Sequence, residues 1–202
     1  MKKTLISVFL LALLLLSACS SDIRQTSTAT LNPLSEEPVE TVISQNDNFV
    51  IKAIESDGRV RYSYTVTAKD GTVMESALCA EEPRVAAIGD HLIGIRFTQD
   101  DHVFSRYFDF VNKRISESFR DAFWDNGVLV AYHGYENGHI LVVQDIFDEG
   151  AYFVKTPVDC SSWQLTVYNV AEEKGSLKVS YYMGTSEDSN NGKGTAFLPL
   201  EG

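Results

Sequence analysis

The chain has 202 residues, of which 44% are apolar and 22% charged, and its formal net charge is −11. With 13 glycines, 5 prolines and 3 cysteines, it is neither collagen-like nor a disulfide-dense miniprotein. Because 28 acidic residues outnumber 17 basic ones, no binding of a nucleic-acid backbone is expected. The length is typical of one domain that buries its own hydrophobic core.

Residues 1–18 have the pattern of an export signal. Two lysines near the start precede an apolar run from Leu5 to Leu16, and two small residues then lead to Cys19. This stretch is shorter than the about 20 apolar residues that a membrane-spanning helix needs. We therefore predict a secretory signal that is cleaved and does not remain as a transmembrane segment.

The tetrapeptide Leu16-Ser17-Ala18-Cys19 resembles the lipobox of bacterial lipoproteins. The resemblance implies that diacylglycerol is attached to the Cys19 sulfur and that a lipoprotein signal peptidase removes residues 1–18. The new terminus can then be acylated as well. The mature protein would be lipid-anchored to the cell membrane on its extracytoplasmic side. An ordinary cleaved signal with a chance cysteine is the alternative.

Residues 19–42 are predicted to be the lipidated cysteine and a disordered tether. From Ser20 to about Thr41, serine, threonine, proline and glutamate dominate, and no aromatic residue appears. Such a composition buries too little apolar surface to offset the entropy of ordering. A flexible chain of this length reaches roughly 25 Å and would hold the next domain clear of the lipid headgroups. An extended arm packed on the domain is the alternative.

Residues 43–202 are predicted to form an all-β domain of short antiparallel strands. Segments rich in valine, isoleucine, tyrosine and phenylalanine are broken by turn dipeptides such as Asp57-Gly58, Asn137-Gly138 and Lys174-Gly175. Asn-Gly and Asp-Gly favour hairpins, since both central residues of a type I′ turn need a positive φ. No segment shows a sustained helical period; a helix is hardest to exclude at 112–123, where a short edge strand fits as well.

An internal repeat of about 37 residues covers most of this domain. Shifting the chain by 37 residues places Leu92 on Leu129 and His102 on His139, whereas Val50 to Leu78 fits more loosely, at a shift of about 43. Repeats of this length with four short strands resemble the blades of a small β-propeller, and four of them would close a ring. A single β-barrel or a β-sandwich built from one meander is the alternative.

Two pairs of residues are candidates for chemistry. Cys79 and Cys160 can form a disulfide in an exported protein, or remain as two buried thiols. His102 and His139 both follow hairpin turns at matching repeat positions, so they are candidates for a shared ligand contact. Two imidazoles do not complete a zinc site, which needs three or four ligands. We therefore predict no metal and no cofactor.

Carboxylates and aromatic residues complete the set of candidates. Asp109 and Asp145 each precede a turn, where an aspartate accepts hydrogen bonds from backbone N–H groups two residues further on. We predict this structural role; the alternative is a pair of glycosidase carboxylates. Aromatic residues at this density in strands are mostly core, although several could stack on a sugar ring or a partner: Trp124, Trp163, Tyr132, Tyr135 and Tyr152.

No common catalytic signature is present, because the sequence contains no G-x-S-x-G, H-E-x-x-H, C-x-x-C or P-loop pattern. We therefore predict a membrane-anchored, non-enzymatic lipoprotein whose all-β domain binds a protein or a glycan partner through loops on one face. The alternative is an envelope glycan hydrolase that uses carboxylates from successive repeats.

Overall fold

The computed structural model describes residues 37–148, 150–159, 164–184 and 192–200. The regular secondary structure of these described residues consists of β-strands only, and the strands form four antiparallel sheets. The first sheet contains β1 (Val39–Gln45), β2 (Phe49–Ser56), β3 (Arg59–Thr67) and β4 (Val73–Cys79). The second contains β5 (Arg84–Ile88), β6 (Leu92–Gln99), β7 (His102–Asp109) and β8 (Arg114–Arg120). The third contains β9 (Ala122–Asp125), β10 (Leu129–Tyr135), β11 (His139–Asp145) and β12 (Phe153–Pro157), and the fourth β13 (Leu165–Glu173), β14 (Ser176–Met183) and β15 (Lys193–Pro199).

Each sheet is a simple meander in which every strand pairs with its neighbours in sequence. This arrangement confirms the predicted all-β, blade-like repeats. The alternative of a single barrel is wrong, because the strands form four separate sheets and each sheet keeps its own two edges. Four meanders satisfy the backbone hydrogen bonds locally, so no long-range strand pairing is needed.

The turn dipeptides close the hairpins as predicted. Asp57 and Gly58 have φ values of 51° and 67°, and Lys174 and Gly175 have 51° and 76°. Two consecutive positive φ angles define the type I′ turn, whose twist matches that of the flanking strands. The predicted edge strand within 112–123 is also confirmed, since β8 lies at the edge of the second sheet.

The repeat is visible in the starting points of equivalent strands. β6 begins at Leu92 and β10 at Leu129, and β7 begins at His102 and β11 at His139, so both pairs are 37 residues apart. β2 begins at Phe49, 43 residues before β6. The looser shift of the first repeat is therefore confirmed as well.

Three apolar clusters join the sheets in series. The first cluster lies between the first and second sheets, the next between the second and third, and the last between the third and fourth. The first cluster is centred on Ile51, Tyr64, Val66, Ile93, Ile95 and Phe108. The second is centred on Leu92, Tyr107, Phe119 and Val130. The third is centred on Leu129, Leu141, Leu177, Val179 and Leu198. Among the described residues, none of these clusters combines the first sheet with the fourth.

Burial follows the position of each sheet in the series. In the second sheet, Leu92 and Ile93 are both buried, because they point into clusters on opposite faces. In the first sheet, the face turned away from its cluster carries polar residues such as Lys52 and Thr65. A polar outer face is what a terminal repeat needs in order to remain soluble.

The start of the domain differs from the predicted boundary at residue 43. β1 begins at Val39, inside the segment predicted as tether, and all of its residues are exposed. It is held by antiparallel pairing with β2, from Val39 opposite Glu55 to Gln45 opposite Val50. The composition of this segment did not predict a strand, because an edge strand is held by backbone hydrogen bonds and needs no buried side chains.

Candidate functional site

A cleft of about 250 Å³ opens between the second and third sheets. It is the candidate functional site, because aromatic and charged side chains from both sheets meet there. The residues that matter for its chemistry are Arg84, Ala86, Gly94, Arg96, Ser105, Tyr107, Phe123, Trp124 and Asp125. These residues come from β5, β6, β7 and β9.

The short connection between the two sheets creates this arrangement. β8 ends at Arg120 and β9 begins at Ala122, so the single residue Asp121 links the second sheet to the third. Asp121 has a φ of 50°, and its N–H donates to the carbonyl of Val103 at 2.7 Å. The chain therefore turns sharply, and β9 carries Trp124 and Asp125 to the wall of the cleft.

Gly94 forms part of the floor of the cleft. A Cβ at this position would lie 3.2 Å from the Tyr107 Cε1 atom and 3.4 Å from the Ile88 Cδ1 atom. The distance to the tyrosine ring is tighter than an ordinary packing contact. The missing side chain therefore lets the tyrosine ring lie close to the β6 backbone, next to the open space.

One end of the cleft contains a hydrogen bond between the sheets. The Tyr107 hydroxyl donates to the Asp125 carboxylate, with an Oη–Oδ2 distance of 3.0 Å. Desolvation raises the pKa of Asp125, although hydrogen bonds from Tyr107 and from the backbone of Gly127 act in the opposite direction. Desolvation, together with the nearby carboxylate, also raises the pKa of Tyr107. The phenol therefore stays protonated and remains a donor at neutral pH.

Two arginines line the cleft two residues further along the strands than the Gly94–Tyr107 pair. Arg84 and Arg96 lie directly opposite each other in the register of β5 and β6, and Ser105 on β7 continues the same row. Both arginines are exposed. Within the part of the chain that the structure describes, neither one forms an ion pair or a hydrogen bond through its side chain. The cleft therefore contains two positive charges without an acidic partner.

A second cavity of about 390 Å³ lies next to the cleft and is lined by residues that include Arg96, Asp121 and His133. The His133 Nε2 atom is 2.7 Å from the Nδ1 atom of His139, and the two rings stack with centroids 4.9 Å apart. Desolvation, then the neighbouring His139, lowers the pKa of His133 to about 4. His133 is therefore neutral at pH 7.

The structure does not bring His102 and His139 together. His102 begins β7 opposite Gln99, and no described residue forms a hydrogen bond or ring contact with it. His139 instead lies on the same face of the third sheet as His133, which is opposite Leu141. Counting the register back from the Asn137-Gly138 turn would have identified His133 as the neighbour of His139, whereas the repeat identifies equivalent positions and not contacts.

Asp109 and Asp145 occupy the structural role predicted for them. Asp109 Oδ1 accepts hydrogen bonds from the backbone N–H groups of Val111 and Asn112, at 3.2 and 2.9 Å. Asp145 Oδ1 accepts the equivalent bonds from Phe147 and Asp148, at 2.8 and 2.9 Å. Each carboxylate therefore closes its own hairpin.

Several predicted residues fall outside the described part of the chain. These are Cys19, Cys160 and Trp163. Cys79 is described and is buried in the cluster between the first and second sheets. Lipidation at Cys19 and a disulfide between Cys79 and Cys160 therefore remain predictions.

The described residues contain neither a membrane-spanning helix nor a cluster of metal ligands. They contain no helix long and apolar enough to cross a membrane. They also contain no group of three or more histidine, cysteine, aspartate or glutamate residues that could hold a metal ion. Of the residues around the cleft, sequence reasoning identified only Trp124 as a ligand candidate and missed Arg84, Arg96, Tyr107 and Asp125.

Comparison with protein-family models, curated proteins and solved structures found no match.

Proposed function

We propose that this protein is a membrane-anchored, extracytoplasmic lipoprotein whose all-β domain binds a glycan or protein partner of the cell envelope through the cleft. The observation that carries this proposal is the meeting of Trp124, Tyr107, Asp125 and two unpaired arginines in one cavity. Aromatic faces and a few placed polar groups are the usual components of a ligand site.

The size of the cleft favours a glycan over a protein partner. At about 250 Å³ it is slightly below the usual range for small-molecule sites. It can accept a sugar ring or a similar small group. A stable protein interface would instead bury roughly 800 Å² of each partner, a surface that extends well beyond a single cleft.

Gln144 of the third sheet links that sheet to the second sheet, and these two sheets form the cleft. The Gln144 Nε2 atom donates to Glu117 Oε1 at 2.7 Å, and the Tyr132 hydroxyl donates to Gln144 Oε1 at 2.8 Å. Gln144 is buried. A frame fixed in this way loses little entropy when a ligand binds, which supports recognition by a preformed site.

Blocking the cleft tests the binding role. Ala86 is exposed and lines the cleft, so Ala86→Phe should fill it and weaken saturable binding of soluble muropeptides or acidic oligosaccharides about tenfold or more by calorimetry. The matched control is Ala87→Phe, because Ala87 is also exposed but points to the opposite face of β5. Equal binding by Ala86→Phe and the wild type, or no saturable binding of any of these glycans, would contradict the proposed function.

Replacing the lipidated cysteine tests the anchor separately. In cell fractionation, Cys19→Ser should move the protein from the membrane to the soluble fraction, because the lipid supplies the attachment. The acidic body contributes no polybasic patch that could hold it at an anionic bilayer. Ser20→Ala, the neighbouring control, should stay with the membrane. Unchanged membrane retention of Cys19→Ser would show that the anchor does not depend on this sulfur.

A further inference from the structure

We infer that the Arg84 and Arg96 end of the cleft is an oxyanion subsite that binds a carboxylate or phosphate group carried by the ligand. This inference deepens the proposed function and rests on it, because the proposed function is what identifies the ligand as a glycan. The sugar would then be acidic, with either a uronic acid carboxylate or a phosphate ester as its charged group.

The backbone places the two guanidinium groups on one surface. Arg84 and Arg96 are partners in the antiparallel register of β5 and β6, so both side chains leave the sheet on the same face. Ser105 stands next to Arg96 on β7 and adds a hydroxyl to the row. Two guanidinium groups and a hydroxyl can together supply several donors to the oxygens of one anion.

Among the described residues, Arg84 and Arg96 lack the acidic partner that two neighbouring arginines of the second sheet have. Arg106 pairs with Glu75 at 2.8 Å, and Arg114 pairs with the buried Asp109 at 3.0 Å. Arg84 and Arg96 face each other instead, and like charges directly opposite in a sheet are destabilising. An anion between them would relieve this repulsion.

The other charged groups around the cleft would orient a bound acidic sugar. Asp125 lies at the tyrosine end, where it can accept a hydrogen bond from a sugar hydroxyl. Glu81 and Glu82 line an adjoining cavity of about 320 Å³, together with both arginines. These two glutamates oppose anion binding by Coulomb repulsion, so their removal should strengthen it.

The subsite is tested by binding of glucose, glucuronate and glucose 6-phosphate to the folded, soluble Cys19→Ser chain. By calorimetry at low salt, we expect either anion to bind at least tenfold more tightly than glucose. The double variant Arg84→Gln/Arg96→Gln should lose this preference. The variant Glu81→Gln/Glu82→Gln should increase it, which loss of folding cannot do.

The matched control removes the same charge elsewhere. Arg59 and Arg61 are exposed on the outer face of the first sheet, so Arg59→Gln/Arg61→Gln should retain the anion preference within twofold. Selectivity for glucuronate over glucose 6-phosphate, or the reverse, identifies which oxyanion the site prefers. Equal loss in the control, or no binding of either anion at tens of millimolar, would overturn the inference.

Failure of this inference can be told apart from failure of the proposed function. If Ala86→Phe blocks glycan binding but the arginine variants leave the anion preference unchanged, the cleft is the site and the oxyanion subsite is wrong. If glucuronate or glucose 6-phosphate binds the wild type and not Arg84→Gln/Arg96→Gln, while no muropeptide or oligosaccharide binds, the subsite is correct and the glycan function is wrong.

Discussion

Replacing Phe108 with alanine is expected to lower the free energy of unfolding by about 3–5 kcal/mol. Phe108 is completely buried in the cluster that joins the first and second sheets. Its ring packs edge-on against Tyr64, with centroids 6.4 Å apart. Removing the ring loses the transfer free energy of the phenyl group and leaves a cavity that rigid strands on both sides cannot close.

Urea unfolding measures this loss, and an exposed phenylalanine provides the control. Phe197 is 57% exposed on the fourth sheet, so Phe197→Ala should change stability by no more than about 0.5 kcal/mol. Because the sheets pack only with their neighbours in the series, hydrogen exchange in Phe108→Ala should rise first in β2 and β3. A loss below 1 kcal/mol would mean that this cluster does not stabilise the fold.

Replacing Asp109 with alanine is expected to cost more than replacing its repeat equivalent, Asp145. Besides its two backbone bonds, Asp109 accepts hydrogen bonds from the Asn112 side chain at 2.8 Å and from Arg114 at 3.0 Å, and it is completely buried. We expect losses of about 2–3 kcal/mol for Asp109→Ala and about 1 kcal/mol for Asp145→Ala, measured by chemical denaturation. Equal losses would show that the contacts beyond the two backbone bonds contribute nothing.

The same carboxylate should make the stability depend on pH. Desolvation raises the pKa of Asp109, but hydrogen bonds from Asn112 and Arg114 outweigh it, so the pKa is lower than in the unfolded chain. The unfolded state therefore binds the proton first as the pH falls. The advantage of the wild type over Asp109→Asn should be complete above about pH 4 and should disappear in stronger acid. An advantage that does not change with pH would contradict this assignment.

Local chemistry explains which features of the fold could be predicted. Type I′ turns depend on dipeptides such as Asp57-Gly58, and the roles of Asp109 and Asp145 involve residues two and three positions away in sequence. The 37-residue repeat followed from the regular spacing of such turns. Each of these features is set by interactions within one hairpin, so no knowledge of the packing between sheets was required.

Contacts between and across strands explain what could not be predicted. β1 looked like tether because its pairing with β2 buries no side chain. His139 was matched to His102 by the repeat, yet its neighbour is His133 on the adjacent strand. Arg84 lies opposite Arg96 because of the register between β5 and β6. The turn at Gly89-Asp90 predicts a hairpin there, but the dipeptide alone does not define its register.

The amino-acid sequence by itself determined most of the strands, their turns and the 37-residue repeat, since backbone conformation responds to neighbours along the chain. Only the tertiary structure decided that Trp124 and Asp125 of one sheet meet Arg96 and Tyr107 of another. The reason is physical: a cleft is the space left where two faces do not fill each other. That space depends on residues such as Gly94, whose effect is seen only once the neighbouring sheet is in place.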